Sequence, residues 1–206
     1  MSGDIVRAVD ALRRGAQVLL PTDTVYGLCS SADEDAVRAL YRLKGRDDDQ
    51  PTALVAATVD ALLECVPELR GAAALAARTL LPGPYTLVLP NPAARYRWLT
   101  GKEPEAIGVR VPVFPEAARR AVDAVGCIVA TSANDPGGPD PVTLDDVPQR
   151  IRAACAAELD AGALPGRPST VIDFTLPEPK VIREGAAPSA DAIAQVREAR
   201  ARPSSA

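Results

Sequence analysis

Two short apolar runs limit what this chain can fold into more than any other feature. Gln17-Val18-Leu19-Leu20 and Cys127-Ile128-Val129-Ala130 each give way at once to small polar residues with proline or glycine close behind. Runs this short, bounded by turn residues, read as buried strands. Pro21 ends the first because it has no N–H to give to a sheet ladder. Thr22, Asp23 and Thr24 then offer hydroxyls and a carboxylate where backbone donors are free. Tyr26 can pack its ring while keeping its hydroxyl wet, and Gly27 permits a tight exit. Thr131-Ser132-Ala133-Asn134, followed by Pro136-Gly137-Gly138, repeats that logic after the second run. Such a stretch either walls a binding crevice in an α/β protein or makes an ordinary strand-to-helix turn. These residues alone leave both readings open.

Helical patterns between the apolar runs complete the α/β reading. Residues 4–14 place Ile5, Val9 and Leu12 on one face, with Gly15 as a stop. A helix over 33–43 has Asp33, Glu34 and Asp35 in its first turn and Arg42 and Lys44 at its end, as a helix dipole favours. Strands are expected at 52–57, 85–89, 107–111, 169–173 and 180–183. Helices are expected at 58–66, 68–81, 115–125, 144–158 behind a Thr143 cap, and from Pro188 onward. No repeat or interdomain linker interrupts this order. The expectation is one domain over 1–187 and a helix-and-tail segment over 188–206 with a disordered end.

The chain contains no histidine. That removes serine–histidine triads and histidine-based zinc chemistry. Cys29, Cys65, Cys127 and Cys155 are widely spaced with no C-x-x-C pair, so neither a zinc site nor a disulfide framework is indicated. Catalysis must therefore rest on cations, hydroxyls, carboxylates, backbone donors or the substrate's own groups. A net charge of −4 argues against broad coverage of a nucleic acid, while a local basic groove stays open. Nothing approaches the roughly 18 apolar residues of a membrane span, and no signal-peptide core is evident. A cytoplasmic location without membrane contact is expected.

Three features carry candidate chemistry. Lys44-Gly45-Arg46 places two cations around a glycine just past the second helix, before Asp47-Asp48-Asp49-Gln50. It can clamp a polyphosphate, or it can be a helix C-cap with solvated charges. It is no Walker A loop, and no G-x-G-x-x-G occurs. Arg110 alternates with Val109 and Val111, so it lies on the opposite face of its strand and needs an anion there. A ligand carboxylate and a structural ion pair both satisfy that need. Arg95, Arg97, Trp98 and Lys102 form either a base-stacking cluster or an ordinary hairpin connection.

PTDTVYGL, KGR, GPYTLVL, GVRVP, TSAN, STVID and VIREG occur in the order seen in the YrdC/Sua5 family. The chain resembles the short, single-domain form of that family over roughly residues 4–186. The resemblance implies a twisted mixed sheet flanked by helices around a large concave, basic cavity. It implies a nucleotidyltransferase that converts L-threonine, bicarbonate and ATP to L-threonylcarbamoyl-AMP and pyrophosphate, with Mg²⁺ accompanying ATP and no protein-ligated metal. A downstream threonylcarbamoyl-transferase complex would then modify adenosine 37 of tRNA. Carried over by position, Thr22, Arg110 and Ser169 would hold threonine. Arg46, Gln50, Ser132, Asn134 and Arg183 would contact ATP, with Lys44 and Arg46 offsetting charge on the phosphates. The same fold also implies two alternatives, a double-stranded RNA or tRNA-binding module and a related carbamoyl-adenylate-forming enzyme. The chain departs from the family pattern at Asp47, Thr52, Val55, Asp140 and Glu184. Carboxylates added near a triphosphate repel it unless Mg²⁺ bridges them.

Overall fold

The computed structural model describes residues 2–202, so all but the first residue of the end expected to be disordered, 202–206, lies outside the described residues. In chain order the elements are α1 (Gly3–Arg13), β1 (Val18–Pro21), β2 (Tyr26–Ser31), α2 (Glu34–Lys44), β3 (Ala53–Ala56), α3 (Val59–Cys65) and α4 (Gly71–Leu80). Then follow β4 (Tyr85–Pro90), β5 (Ala106–Arg110), α5 (Glu116–Asp123), β6 (Cys127–Ser132), α6 (Gln149–Arg152), β7 (Ala157–Glu158), β8 (Thr170–Asp173), β9 (Lys180–Arg183) and α7 (Ser189–Ala201). The strands form one nine-stranded sheet in the order β7-β1-β2-β6-β3-β5-β4-β8-β9. Three pairs, β1–β7, β3–β5 and β4–β8, are parallel, and the rest are antiparallel. The expected mixed α/β sheet is therefore present.

Two local expectations are corrected. The polar stretch after β1 does not lead into a helix; it turns back into β2, with Leu20 opposite Gly27. The Thr22 hydroxyl closes this hairpin, accepting from the N–H groups of Thr24 and Val25 at 3.2 Å and lying 2.8 Å from the Val25 carbonyl. Tyr26 is consequently fully buried, not wet. Its hydroxyl is 2.8 Å from the Asp160 carboxylate and accepts from the Ala161 N–H at 3.0 Å. Likewise, 144–158 is not one helix but a 3₁₀ turn over Leu144–Asp146, the short α6, and β7. Pro148 biases its predecessor away from helical geometry. Asp146 takes hydrogen bonds from both the N–H and the hydroxyl of Thr143 at 2.7 and 2.9 Å. Beyond α6, the Ala156 and Leu159 N–H groups bond to the carbonyls of Gln17 and Leu19 at 2.8 and 3.0 Å, drawing an alanine-rich segment into the sheet.

Side-chain alternation decides where the helices lie and where the site can be. One face buries Leu28, Leu54, Leu87, Val109 and Ile172 against α2, α3, α4 and α7. On the other face, Ile5, Val9 and Leu12 of α1 and Ala118 and Val122 of α5 cover Val18, Leu20, Cys29, Val55 and Ile128. That second layer reaches only as far as β3. Over β5, β4 and β8 the same face presents Ala106, Gly108 and Arg110, Thr86 and Val88, then Val171 and Asp173. These residues floor an open cavity of about 630 Å³. No described helix is long and apolar enough to cross a membrane.

Candidate active site

The centre of the cavity floor is flat because its residues are small. Ala53 pairs with Ala130 across β3 and β6, and on the other side a Cβ added to Gly108 of β5 would lie 3.6 Å from the Cα of Ala53. Around this floor stand three polar clusters. Each joins residues from separate parts of the chain.

The first cluster is built on Arg110, which leaves β5 beside Val55 and reaches the β1–β2 turn. Its Nη2 donates to Asp23 at 2.5 Å and to the Thr24 hydroxyl at 2.8 Å. Thr24 Oγ1 lies 3.0 Å from Thr22 Oγ1, which ties Thr22 into the same network. The second Asp23 oxygen accepts from the Val113 N–H at 3.1 Å. Burial lowers the Arg110 pKa from its usual value; Asp23 opposes this shift, and the nearby Arg183 charge adds to it. The sequence left Arg110 a choice between a ligand and a structural counter-ion. Asp23 is that counter-ion, yet Nε of Arg110 stays buried without a partner.

The second cluster joins Thr86, Ser169 and Arg183. The Thr86 and Ser169 hydroxyls are 2.8 Å apart, and Arg183 donates to the Ser169 carbonyl through Nε at 3.2 Å and Nη2 at 2.9 Å. Gly185 holds this corner because no side chain fits there. A Cβ on it would come within 2.3–2.5 Å of the Pro168 and Ser169 backbone. The adjacent Glu184 is taken up by Ser189, whose N–H donates to it at 3.3 Å, so this departure from the family pattern is not on the cavity wall.

Lys44 and Arg46 belong to the third cluster but point to different tasks. Gly45 adopts φ 68°, ending α2 in a left-handed turn that glycine takes without strain. Arg46 lines the cavity, with Nη2 donating to the Pro51 carbonyl at 2.5 Å and its guanidinium 5.9 Å from the Tyr41 ring centre. Burial lowers its pKa, and Tyr41 partly offsets this. Lys44, by contrast, is buried behind the wall. Its ammonium donates to the Ser132 carbonyl at 2.8 Å and to both the carbonyl and the side-chain oxygen of Asn134. Burial, then Arg46, push its pKa down to about 8. Asn134 in turn donates to the Gly138 carbonyl at 2.6 Å. Lys44 thus clips α2 to the loop after β6. Lys44→Met is expected to strand these acceptors, lowering stability by about 1–3 kcal/mol and activity with it. Urea unfolding and turnover, measured side by side, check this.

Of the residues singled out in the sequence, Thr22, Arg46, Arg110, Ser132, Ser169 and Arg183 line one cavity. Lys44 and Asn134 support it from behind, and Gln50 is exposed outside it. Thr86 was not foreseen, and Asp23 and Thr24, noted in the sequence without a role, prove to be partners of Arg110. The alternation of Thr86 with the apolar Tyr85 and Leu87 was a signal for Thr86. The expected basic character is also corrected: Arg46, Lys102, Arg110 and Arg183 on the wall face Asp49, Glu103, Asp140 and Asp173, four charges of each sign. The wider arginine-and-aromatic cluster is dispersed. Arg95 pairs with Glu68 at 2.7 Å, Trp98 donates to the Ala32 carbonyl at 2.9 Å, and Lys102 meets Asp49 at 2.7 Å.

The family model named Sua5/YciO/YrdC and described as telomere recombination matches residues 10–185. The chain belongs to the Sua5/YciO/YrdC family. A putative threonylcarbamoyl-AMP synthase of Mycobacterium tuberculosis is 35% identical, covering 95% of this chain and 89% of its own. A threonylcarbamoyl-AMP synthase of Chromohalobacter salexigens is 38% identical over 82% of this chain and 92% of its own. Among solved structures of the Sua5/YciO/YrdC family, Pyrococcus abyssi Sua5 complexed with L-threonine superposes with a TM-score of 0.83 at 34% identity. That match covers 93% of this chain but only 56% of the Pyrococcus protein. Escherichia coli YciO superposes with a TM-score of 0.78 at 27% identity, over 89% of this chain and 90% of its own.

Proposed function

We propose that this cavity joins L-threonine, bicarbonate and ATP into L-threonylcarbamoyl-AMP, releasing pyrophosphate. One structural observation carries the reading of the site. Among the described residues, Arg46 Nε, Arg110 Nε and Thr52 Oγ1 are buried side-chain polar atoms without a partner, and all three belong to cavity-wall residues. Buried donors left unpaired mark places where a polar ligand completes the bonding. Two are guanidinium donors, which suit carboxylate and phosphate oxygens. The relatives named threonylcarbamoyl-AMP synthases supply the identity of the reaction.

The chemistry suits a chain without histidine. Threonine's amine attacks bicarbonate or the CO₂ derived from it, forming a carbamate with loss of water or a proton. A carbamate oxygen then attacks the α-phosphorus of ATP, and pyrophosphate leaves. Because the nucleophile is made from substrate, the protein has to position groups and balance charge. Arg110, Thr22 and Ser169 are proposed to hold threonine, and Arg46, Ser132 and Arg183 the nucleotide. Asp49 and Asp140 leave the wall without the positive surplus a bare ATP tetra-anion requires. Mg²⁺ is therefore proposed to arrive on the phosphate oxygens and neutralise part of their charge. No grouping of three or more metal-ligating side chains occurs among the described residues that could hold it independently. The balanced wall also argues against the double-stranded RNA-binding alternative, which needs an excess of cations. The proposed setting is the cytoplasm, with tRNA as the eventual acceptor and a separate transferase complex as consumer. Pyrophosphate release that requires ATP, threonine and bicarbonate together is the expected result. Release that is independent of threonine, or no release, would overturn the proposal.

A further inference from the structure

We infer that Asp23 sets the ligand-charge preference of the amino-acid subsite by partly neutralising Arg110. The inference rests on the proposal that threonine binds at Arg110. Asp23 is well placed for this role. One carboxylate oxygen accepts from Arg110 Nη2 at 2.5 Å and the other is fixed by the Val113 N–H at 3.1 Å. Side-chain exposure is 12% for Arg110 and 13% for Asp23, so solvent screens their charges little. The remaining Arg110 donors, including the unpartnered Nε, are what an incoming carboxylate can use.

A carboxylate bound there shares one guanidinium with Asp23 and is repelled by it. A ligand that also carries an ammonium group offsets that repulsion, while a ligand with a carboxylate alone does not. Arg183 contributes a second cation that Arg110 feels, which raises the affinity for any anion but does not reverse the ranking. Asp23 thus favours an amino acid over the otherwise identical acid lacking the amine. This is discrimination by a built-in repulsive element.

The test uses the whole chain and measures binding of L-threonine and of its deaminated analogue, 3-hydroxybutanoate, by calorimetry without nucleotide. Asp23→Asn keeps the side-chain shape and its acceptor toward Val113 but loses both the charge and the acceptor that faces Arg110; Asp23→Glu keeps the charge. Wild type should prefer threonine, and Asp23→Asn should reduce the ratio of the two affinities by about tenfold. Asp23→Glu should retain most of that ratio. Because the readout is a ratio within one protein, a general loss of folded material does not alter it. An unchanged ratio in Asp23→Asn overturns the role of Asp23 while leaving the threonine proposal standing. Failure of wild type to bind threonine overturns both.

Discussion

Arg110→Met should abolish measurable threonine binding and lower stability by about 3–5 kcal/mol, because it removes one partner of a buried ion pair and strands the other. Asp23, 13% exposed in the intact pair, would keep only the Val113 N–H as a donor. The two effects can be separated. In Arg110→Met/Asp23→Asn the stranded charge is gone, so most of the stability should return, while threonine binding should not. Urea unfolding reads the first quantity and calorimetric titration the second. If the double variant is as unstable as the single one, the loss comes from packing and not from the uncompensated carboxylate.

Arg46→Ala should behave in the opposite manner. Its guanidinium lines the cavity, and its main protein bonds are to the Pro51 carbonyl and, at 3.4 Å, to Thr131 Oγ1. Deleting it costs the fold little, but it removes a fixed positive charge from the place proposed for the α-phosphate and pyrophosphate. A preorganised contact of this kind is worth about 100- to 1,000-fold in rate. The expected result is a drop of that size in kcat/KM, with threonine affinity and unfolding midpoint close to wild type. Near-normal turnover in Arg46→Ala would remove Arg46 from the chemistry.

Paired with Lys44→Met, this variant shows what the K-x-R signature concealed. Both residues are cations on either side of Gly45, and their spacing alone gives them equivalent roles. Which way each side chain points depends on the left-handed turn at Gly45 and on carbonyls supplied by Ser132 and Asn134, nearly ninety residues further along. Such tertiary partners leave no trace in local sequence. The short apolar strands were legible because burial on both sides requires continuous hydrophobic runs. β2 was not legible, since Tyr26-Gly27-Leu28-Cys29-Ser30-Ser31 is held in the sheet by pairing with β1 and β6 and not by a strand-like composition. The 144–158 segment was misread for a related reason. Its alanines favour a helix, but the backbone bonds to Gln17 and Leu19 override that preference.

The cavity was legible only in part. Arg110 announced itself as a cation on the outward face of an apolar strand, and the need for an anion followed. That the anion is Asp23 required the β1–β2 turn to fold over β5. The balanced charge of the wall was hidden for the same reason: Asp49, Glu103, Asp140 and Asp173 come from four separate segments.

The central claim is that this one cavity builds a carbamoyl-adenylate on threonine, and the product itself tests it most directly. The protein is incubated with ATP, Mg²⁺, radiolabelled bicarbonate and each amino acid in turn, and the acid-quenched products are separated and weighed by mass spectrometry. The account predicts a labelled adduct with the mass of threonylcarbamoyl-AMP, formed with threonine well above other amino acids and about 100- to 1,000-fold more slowly in Arg46→Ala. No labelled adduct with threonine, or equal yields from every amino acid, would contradict it.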